Sequence, residues 1–205
     1  MVETGMELFR EKGFDSVTIL EICKAAGVTR NAFYYHFADK EALLCCYFAE
    51  SIPSQNELFE HILSLGSDWE KLWCLLEAHL NLMEREGVDI TRALMKASLD
   101  NRETIVKDYV LTNAWCVPLI QNCIQSGVIQ STLSAEQLNF LMTRILLGMI
   151  VSWCNKDGGF DLIPAFRKAL YDLMRPDLGG VTTEKNSPPD PERSARLQQH
   201  ELSHG

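Results

Sequence analysis

The sequence predicts an all-α fold, in which three short helices and a connecting helix precede a bundle of longer helices. Apolar residues recur at helical spacing along most of the 205 residues, and the alternation of apolar and polar residues that is typical of strands is absent. Capping residues and glycines mark the helix ends. Together these observations favour a helical protein throughout.

The starts of several helices are marked by Ser or Thr followed three residues later by Glu or Gln, as in Thr18–Glu21, Ser67–Glu70 and Ser134–Gln137. In such a capping box each side chain satisfies a free backbone amide of the other residue. Glycines at 13, 27, 87, 127 and 158–159 mark helix ends. These signals predict helices over 1–12, 18–25, 29–36, 39–51, 54–64, 68–86, 89–98, 103–126, 134–156 and 160–175.

The chain divides by composition into three regions. Residues 1–50 form short helices with tight turns, and residues 51–175 form longer amphipathic helices, enough for a bundle. Pro53 is expected to break the chain between them, since proline cannot donate a helical hydrogen bond. From Pro176 prolines accumulate and large apolar residues are few, so residues 176–205 are predicted to be a disordered tail.

The formal net charge of −9 opposes general attraction to nucleic acids or anionic membranes, so binding to DNA would need a local basic face. The longest apolar run, residues 145–154, is too short to span a bilayer, and the N-terminus lacks a signal-peptide pattern. Seven cysteines without a C-x-x-C pair indicate reduced, mostly buried thiols. We therefore expect a cytoplasmic protein without a membrane partner.

The segment GVTRNAFYYHF, residues 27–37, contains four aromatic residues and no acid. On a helix capped by Thr29, Phe33 and Phe37 share one face and can pack on the preceding helix. The remaining face then exposes Arg30, Asn31, Tyr34, Tyr35 and His36.

Two helices joined by a glycine-containing turn are typical of the helix-turn-helix arrangement, in which the second helix enters the major groove of DNA. Arg30 could donate two hydrogen bonds to a guanine edge, and Asn31 could pair with an adenine edge. The tyrosine hydroxyls and His36 could reach phosphates.

The stretch LFREKGFDSVTILEICKAAGVTRNAFYYHFADKEALL, Leu8 to Leu44, resembles the DNA-binding domain of the TetR family of bacterial transcriptional regulators. The resemblance covers about the first quarter of the chain, and the remainder matches in architecture only. It implies that Thr18 and Lys40 contact phosphates at the starts of the second and fourth helices, with Asp39 capping the fourth. The DNA-binding residues implied are Thr18, Thr29, Arg30, Asn31, Tyr34, Tyr35, His36 and Lys40.

The basic character is confined to this face. Residues 1–50 contain five Lys/Arg and eight Asp/Glu, whereas residues 24–40 have a net charge of +2. Family members usually carry a short basic arm before the first helix, whereas Met1 already lies on that helix. We therefore expect few phosphate contacts and a steep loss of affinity with salt.

In the second region, apolar stripes at helical spacing are usual for a helical core. The resemblance implies a small-molecule cavity among these helices, and clustered Trp and Met suit an adaptable apolar pocket. The candidate effector-binding residues are Trp73, Leu76, Leu80, Met83, Met95, Leu99, Tyr109 and Trp115.

The last two predicted helices repeat apolar residues at helical spacing, and Gly148 would let another helix approach closely. By resemblance, these helices pair with their symmetry mates in a four-helix dimer interface, and a twofold dimer suits a palindromic operator. The predicted interface residues are Leu138, Leu141, Ile145, Met149, Trp153, Ile163, Phe166, Leu170 and Leu173.

The resemblance therefore implies a homodimeric repressor that a small apolar effector releases from a palindromic DNA operator. Two alternatives stay open: a DNA binder that needs no ligand, and a helical protein-interaction module that has lost DNA binding. Motifs for phosphate-binding loops, zinc peptidases or a Ser/His/Asp set are absent, so we expect no enzyme, no cofactor and no metal.

Overall fold

A computed structural model describes residues 1–51, 55–100 and 104–177 of the chain. Within these ranges the regular secondary structure is helical, apart from an isolated antiparallel bridge between Ile129 and Pro176. The predicted all-α class is confirmed. The helices are α1 (Val2–Lys12), α2 (Ile19–Ala26), α3 (Arg30–His36), α4 (Lys40–Glu50), α5 (Gln55–Ser64), α6 (Asp68–Asp100), α7 (Thr104–Gln125), α8 (Ala135–Asn155) and α9 (Leu162–Met174).

The predicted helix starts are present as capping boxes. Thr18 begins α2 and Ser134 begins α8 with both reciprocal hydrogen bonds. At the start of α6, the Ser67 amide donates to the Glu70 carboxylate, and the Glu70 amide donates to the Ser67 hydroxyl, both at 3.2 Å. Local sequence therefore fixes where these helices begin.

The long helix α6 joins two predicted helices, 68–86 and 89–98, and is interrupted where glycine predicts an end. Gly87 has φ 83° and ψ 173°, which is not helical. These angles lie in a region that essentially only glycine adopts, so the chain bends here without ending the helical stretch.

Helix α6 is the centre of the molecule, since it contacts α1, α4, α5, α7, α8 and α9. Its residues Leu72, Leu76 and Leu80 are completely or almost completely buried. Removing such a side chain would leave a cavity and cost about 2–5 kcal/mol of the free energy of unfolding.

The first three helices contribute to the N-terminal end of the core, which is continuous with that of the later helices. Phe9 of α1, Phe14 after it and Ile22 of α2 are buried together with Phe33 of α3. The Phe9 and Phe14 ring centroids lie 4.7 Å apart. Helix α3 packs on α2, which in turn packs on α1, and Phe33 is the buried side chain of α3.

The end of α9 is tied to the connection between α7 and α8. The Asp177 amide donates to the Val128 carbonyl at 2.7 Å, next to the Ile129–Pro176 bridge. This backbone pairing involves the first two residues of the predicted tail, 176–205, and the start of the tail at Pro176 stays a prediction. The rest of the predicted tail, 178–205, lies outside the described residues.

Among the described helices, α8 alone is long and apolar enough, by length and composition, to cross a membrane. Of its most apolar stretch, 44% is buried inside the chain. Several apolar side chains on its outer face remain exposed, and these become important for assembly below.

Candidate nucleic-acid interface

The turn between α2 and α3 is a glycine-capped turn of three residues, 27–29. Gly27 has φ 68° and ψ 28°, and its amide donates to the carbonyls of Cys23 and Lys24. A Cβ at Gly27 would meet nothing within 4 Å, so glycine is favoured by this left-handed backbone conformation rather than by lack of space. The Thr29 hydroxyl then accepts the Ala32 amide at 3.2 Å and begins α3.

One aromatic residue anchors α3. Phe33 is 0% exposed, and its ring contacts the rings of Tyr34 and Phe37 at centroid distances of 5.6 and 5.7 Å. Phe37, predicted to share the buried face, is only partly buried because it already lies at the C-terminal cap of the helix. Phe33 therefore carries most of the packing of this short helix.

The predicted reading residues lie together on the exposed side of α3. Thr29, Arg30, Asn31 and His36 are exposed, Tyr35 is 84% exposed and Tyr34 is 47% exposed.

These exposed side chains contact one another. The Arg30 guanidinium donates to the Tyr34 hydroxyl at 3.5 Å, and this hydrogen bond raises the pKa of Arg30. The Tyr35 and His36 rings meet edge to face at 4.9 Å. The face therefore presents a permanent cation together with aromatic hydroxyl groups.

Lys40, predicted to contact a phosphate, is occupied within the protein. Its ammonium group donates to the carbonyls of Phe14 at 2.8 Å, Val17 at 3.2 Å and Asp15 at 3.4 Å. It also lies 4.4 Å from the centre of the Phe14 ring. Since an ammonium group has three donors, a phosphate could be bound only by giving up one of these bonds.

Thr18, the other predicted phosphate contact, is similarly engaged. Its hydroxyl donates to the Glu21 carboxylate at 2.9 Å and accepts the Glu21 amide at 3.3 Å. The Thr18 amide, the Lys12 ammonium group and the Thr18 hydroxyl, in this order, lower the pKa of Glu21 to about 2. An ionised carboxylate thus lies beside Thr18 at neutral pH, and it disfavours a direct phosphate contact by that hydroxyl.

One exposed residue beside this surface was missed from the sequence. Leu20, in the first turn of α2, is 62% exposed, whereas Ile22 of the same helix is buried. Two residues along a helix point to nearly opposite sides, so the helical period alone could have indicated that Leu20 faces outward.

The structure does not bring the predicted effector-binding residues into one place. Leu99 is 81% exposed and Trp115 is 46% exposed, so neither is enclosed within the single chain, and their role in effector binding stays a prediction. The apolar character of these residues could not reveal their exposure. The side chain of Tyr109 lies outside the described residues. The remaining five are buried in the core: Trp73, Leu76, Leu80, Met83 and Met95.

The predicted dimer residues fall on two different faces. Leu138, Trp153, Phe166 and Leu170 are buried inside the single chain and offer almost no area to a partner, and the interface itself stays a prediction. Their burial has a simple reason, because α8 is apolar on nearly all sides and spacing alone cannot tell its inner face from its outer one. The predicted residues that keep accessible area are Leu141, Ile145, Met149, Ile163 and Leu173.

The outer face of α8 contains further apolar residues that the prediction missed. Phe140 is 55% exposed and Val151 is 44% exposed, while Leu147 is partly buried. Gly148 lies on the same face, with nothing within 4 Å of an added Cβ, and the Arg144 guanidinium lies 4.2 Å from the centre of the Phe140 ring. We call Phe140, Leu141, Leu147, Gly148 and Val151 the α8 outer face.

The helix-turn-helix geometry agrees with comparisons to known proteins. Residues 2–45 match the sequence profile of the bacterial regulatory proteins of the tetR family. The N-terminal helices therefore carry the sequence pattern of the DNA-binding domain of that family. A probable acrEF/envCD operon repressor of Escherichia coli K12 is 24% identical over 190 residues, which cover 86% of each protein.

Two solved TetR-type structures share the fold over nearly the whole chain. The FadR repressor of Thermus thermophilus, in complex with lauroyl-CoA, is 23% identical, with a TM-score of 0.64 over 93% of this chain and 96% of its own. FadR of Bacillus subtilis, in complex with stearoyl-CoA, is 20% identical, with a TM-score of 0.62 over 88% and 97% of the two chains. At these identities the likeness concerns the fold.

Proposed function

We propose that this TetR-family protein is a homodimeric transcriptional repressor that binds a palindromic DNA operator through α3 and is released by a small apolar effector. The observation that carries the proposal is the exposed group of Arg30, Asn31, Tyr34 and Tyr35 on a helix anchored by buried Phe33. Exposed tyrosines and a cation on one short helix have a clear use in contacts with bases and phosphates.

Within this proposal the residues divide into two groups. Arg30 and Asn31, at the start of α3, reach base edges, since the first residues of a recognition helix enter the major groove. Tyr34, Tyr35 and His36 contact the sugar–phosphate backbone. Lys40 and Thr18 support the local structure, given their hydrogen bonds inside the protein.

The proposed dimer uses the α8 outer face. Phe140, Leu141 and Val151 would lose water contact against the same residues of a second copy, while Gly148 allows close approach of the two helices. A twofold dimer places two copies of α3 about 34–36 Å apart, one turn of DNA, when it binds an operator.

The proposed effector binds preferentially to a conformation in which the two recognition helices have a different spacing from the one that the operator requires, and it thereby weakens DNA binding. Such coupling is typically about 1–3 kcal/mol between two sites. Lauroyl-CoA and stearoyl-CoA are the first effectors to test, because the two similar FadR structures contain them and because the C-terminal core is rich in Trp, Leu and Met.

The DNA-binding proposal can be tested with an operator selected by the protein from random duplex DNA. Arg30→Ala should lower operator affinity about 10–100-fold, because one bidentate base contact contributes about 1–3 kcal/mol. Tyr35→Ala should weaken binding as well. Lys96→Ala removes an exposed positive charge on α6 and serves as the control, with affinity expected to stay unchanged.

Affinities would be measured by fluorescence anisotropy at two salt concentrations. If the folded protein selected no sequence and bound DNA without salt dependence, the interaction-module alternative would replace the proposal. The effector is tested separately. Equal operator affinity with and without saturating acyl-CoA would exclude lauroyl-CoA and stearoyl-CoA as effectors. If a wider screen found no compound that stabilises the protein, a ligand-independent DNA binder would be favoured.

A further inference from the structure

A buried carboxylate connects the DNA-binding helices to the central helix α6. Glu86 lies immediately before the break at Gly87, and its side chain is 1% exposed. Its two oxygens accept from two different helices: Oε2 from the Arg10 guanidinium of α1 at 2.8 Å, and Oε1 from the Tyr47 hydroxyl of α4 at 2.6 Å.

Two further hydrogen bonds converge on the Tyr47 hydroxyl. Arg10 donates to it at 2.8 Å and Arg85 of α6 donates to it at 3.1 Å. Arg85 also donates to Glu86 at 3.1 Å. We call Arg10, Tyr47, Arg85 and Glu86 the Glu86 cluster. It joins helices α1, α4 and α6.

A second contact crosses the same boundary on the other side of Gly87. The Asp89 carboxylate accepts the backbone amide of Phe14, just after α1, at 3.1 Å. Two carboxylates that flank the break, Glu86 and Asp89, therefore hold α1 and the residue that follows its C-terminal glycine.

The Glu86 charge is maintained by these contacts. Burial would raise the pKa of Glu86, but the hydrogen bonds from Arg10, Tyr47 and Arg85 outweigh it, and the pKa lies below its ordinary value of 4.5. The hydrogen bond to Glu86 in turn raises the pKa of Arg10. Arg10, Arg85 and Glu86 therefore keep their charges at neutral pH, and they form an ion-pair network with specific geometry.

The position of the cluster gives it control over α3. Helices α1 and α4 flank the helix-turn-helix: α1 packs on α2, and α4 follows directly after α3. A movement of α6 at Gly87 would therefore displace both flanking helices through one side chain. A buried carboxylate that accepts hydrogen bonds from two helices at once transmits such a displacement more rigidly than apolar packing, which can slide.

We propose that Glu86 is a positioning residue for operator binding, which sets the orientation of the N-terminal helices on α6 and thereby the spacing of the two recognition helices in the dimer. This inference rests on the proposed function. It adds that the specificity for operator spacing depends on a residue that does not touch DNA.

The test uses the full-length protein and operators that differ in half-site spacing. An operator selected by the wild-type protein from random duplex DNA is rebuilt with one to three base pairs added or removed between its halves. Dissociation constants are measured for each duplex, and the ratio between the altered and the selected spacing is compared among variants. A residue that only stabilises the fold would leave this ratio unchanged.

Glu86→Gln keeps the size and the acceptor for Tyr47 but removes the charge. We expect Glu86→Gln to lower the ratio of the dissociation constants for the altered and the selected spacing about tenfold, which is within the range usual for coupling between sites. The preferred half-site sequence should stay unchanged. Tyr47→Phe removes one hydroxyl and should act in the same direction; it decides the question if Glu86→Gln does not fold. Glu84→Gln is the matched control, because Glu84 of α6 accepts the Leu162 amide of α9.

The two failures are distinguishable. If the wild-type protein selects no operator, the proposed function fails, and the inference fails with it. If the wild-type protein binds a preferred spacing and folded Glu86→Gln or Tyr47→Phe keeps the same ratio as Glu84→Gln, the positioning role of Glu86 is wrong while the proposed function stands.

Discussion

At the scale of single residues, the N-terminal helices separate side chains that support the fold from side chains available to a partner. Phe33 is completely buried, whereas Arg30 and Tyr35 project from the same helix into solvent. Lys40 belongs to the first group, since its ammonium group binds three backbone carbonyls. The resemblance placed it in the second group.

Lys40→Met tests this difference, because it keeps the apolar stem and removes the ammonium group. We expect the free energy of unfolding to fall by roughly 1–3 kcal/mol, since partly buried carbonyls after α1 lose a charged donor. Lys24→Met, at an exposed lysine of α2, should change stability by less than about 0.5 kcal/mol. Chemical denaturation measures both.

One outcome would support the phosphate contact that the resemblance implies for Lys40. If Lys40→Met kept the wild-type stability and reduced the salt dependence of operator binding, the ammonium group would serve DNA rather than the turn between α1 and α2.

At the scale of elements, the break in α6 combines a backbone requirement with the contacts around it. An added Cβ at Gly87 would meet nothing within 4 Å, so a substitution there is opposed by the backbone angles alone.

Gly87→Ala should therefore lower the free energy of unfolding by about 1–3 kcal/mol, the usual cost of this conformation for other residues. Gly66→Ala is the control, because Gly66 does not have positive φ and a Cβ there would meet only the Glu70 carboxylate, at 3.9 Å. It should be neutral or stabilising by up to about 1 kcal/mol. A Gly87→Ala protein as stable as wild type would show that α6 can straighten at this point.

Helix boundaries could be predicted from the sequence because their causes are local. The caps at Thr18, Ser67 and Ser134 each involve residues three apart, and Gly27 ends α2 through its own backbone angles. The inner and outer faces of α8 could not be separated in this way. An apolar helix gives no contrast between faces, and the neighbours that bury Leu138 come from other helices.

At the scale of the whole molecule, contacts between residues far apart in the sequence are harder still to predict than the faces of α8. Arg10 and Glu86 are 76 residues apart, and no local pattern pairs a surface arginine of one helix with a glutamate of another. Similarly, the role of Lys40 depends on the carbonyls of Phe14 and Val17, which only the folded chain brings near it. The sequence could therefore indicate the residues of the recognition helix, but not the contacts that hold and orient it.

The proposed dimer leads to a prediction about assembly. Val151→Arg places a charge on the α8 outer face, so burial against a second copy would leave this charge unpaired. We expect sedimentation to report the 23.2 kDa single chain at micromolar concentrations, and operator affinity to fall accordingly. Leu63→Arg, at a residue of α5 that is 65% exposed, is the control and should remain dimeric.

A Val151→Arg protein that stayed dimeric and kept its operator affinity would place the contact between copies elsewhere. The exposed apolar residues of α8 would then need another partner.

The exposure of the DNA-reading residues of α3 affects how regulators of this kind can acquire new target sites. Arg30, Asn31 and Tyr35 extend from a helix whose attachment depends on Phe33, so changes at these three positions should leave folding nearly untouched. Copies of such a gene could acquire new target sites by a few substitutions without first acquiring compensating ones. The same separation makes the protein a convenient scaffold for engineered repressors, with α3 as the part to vary.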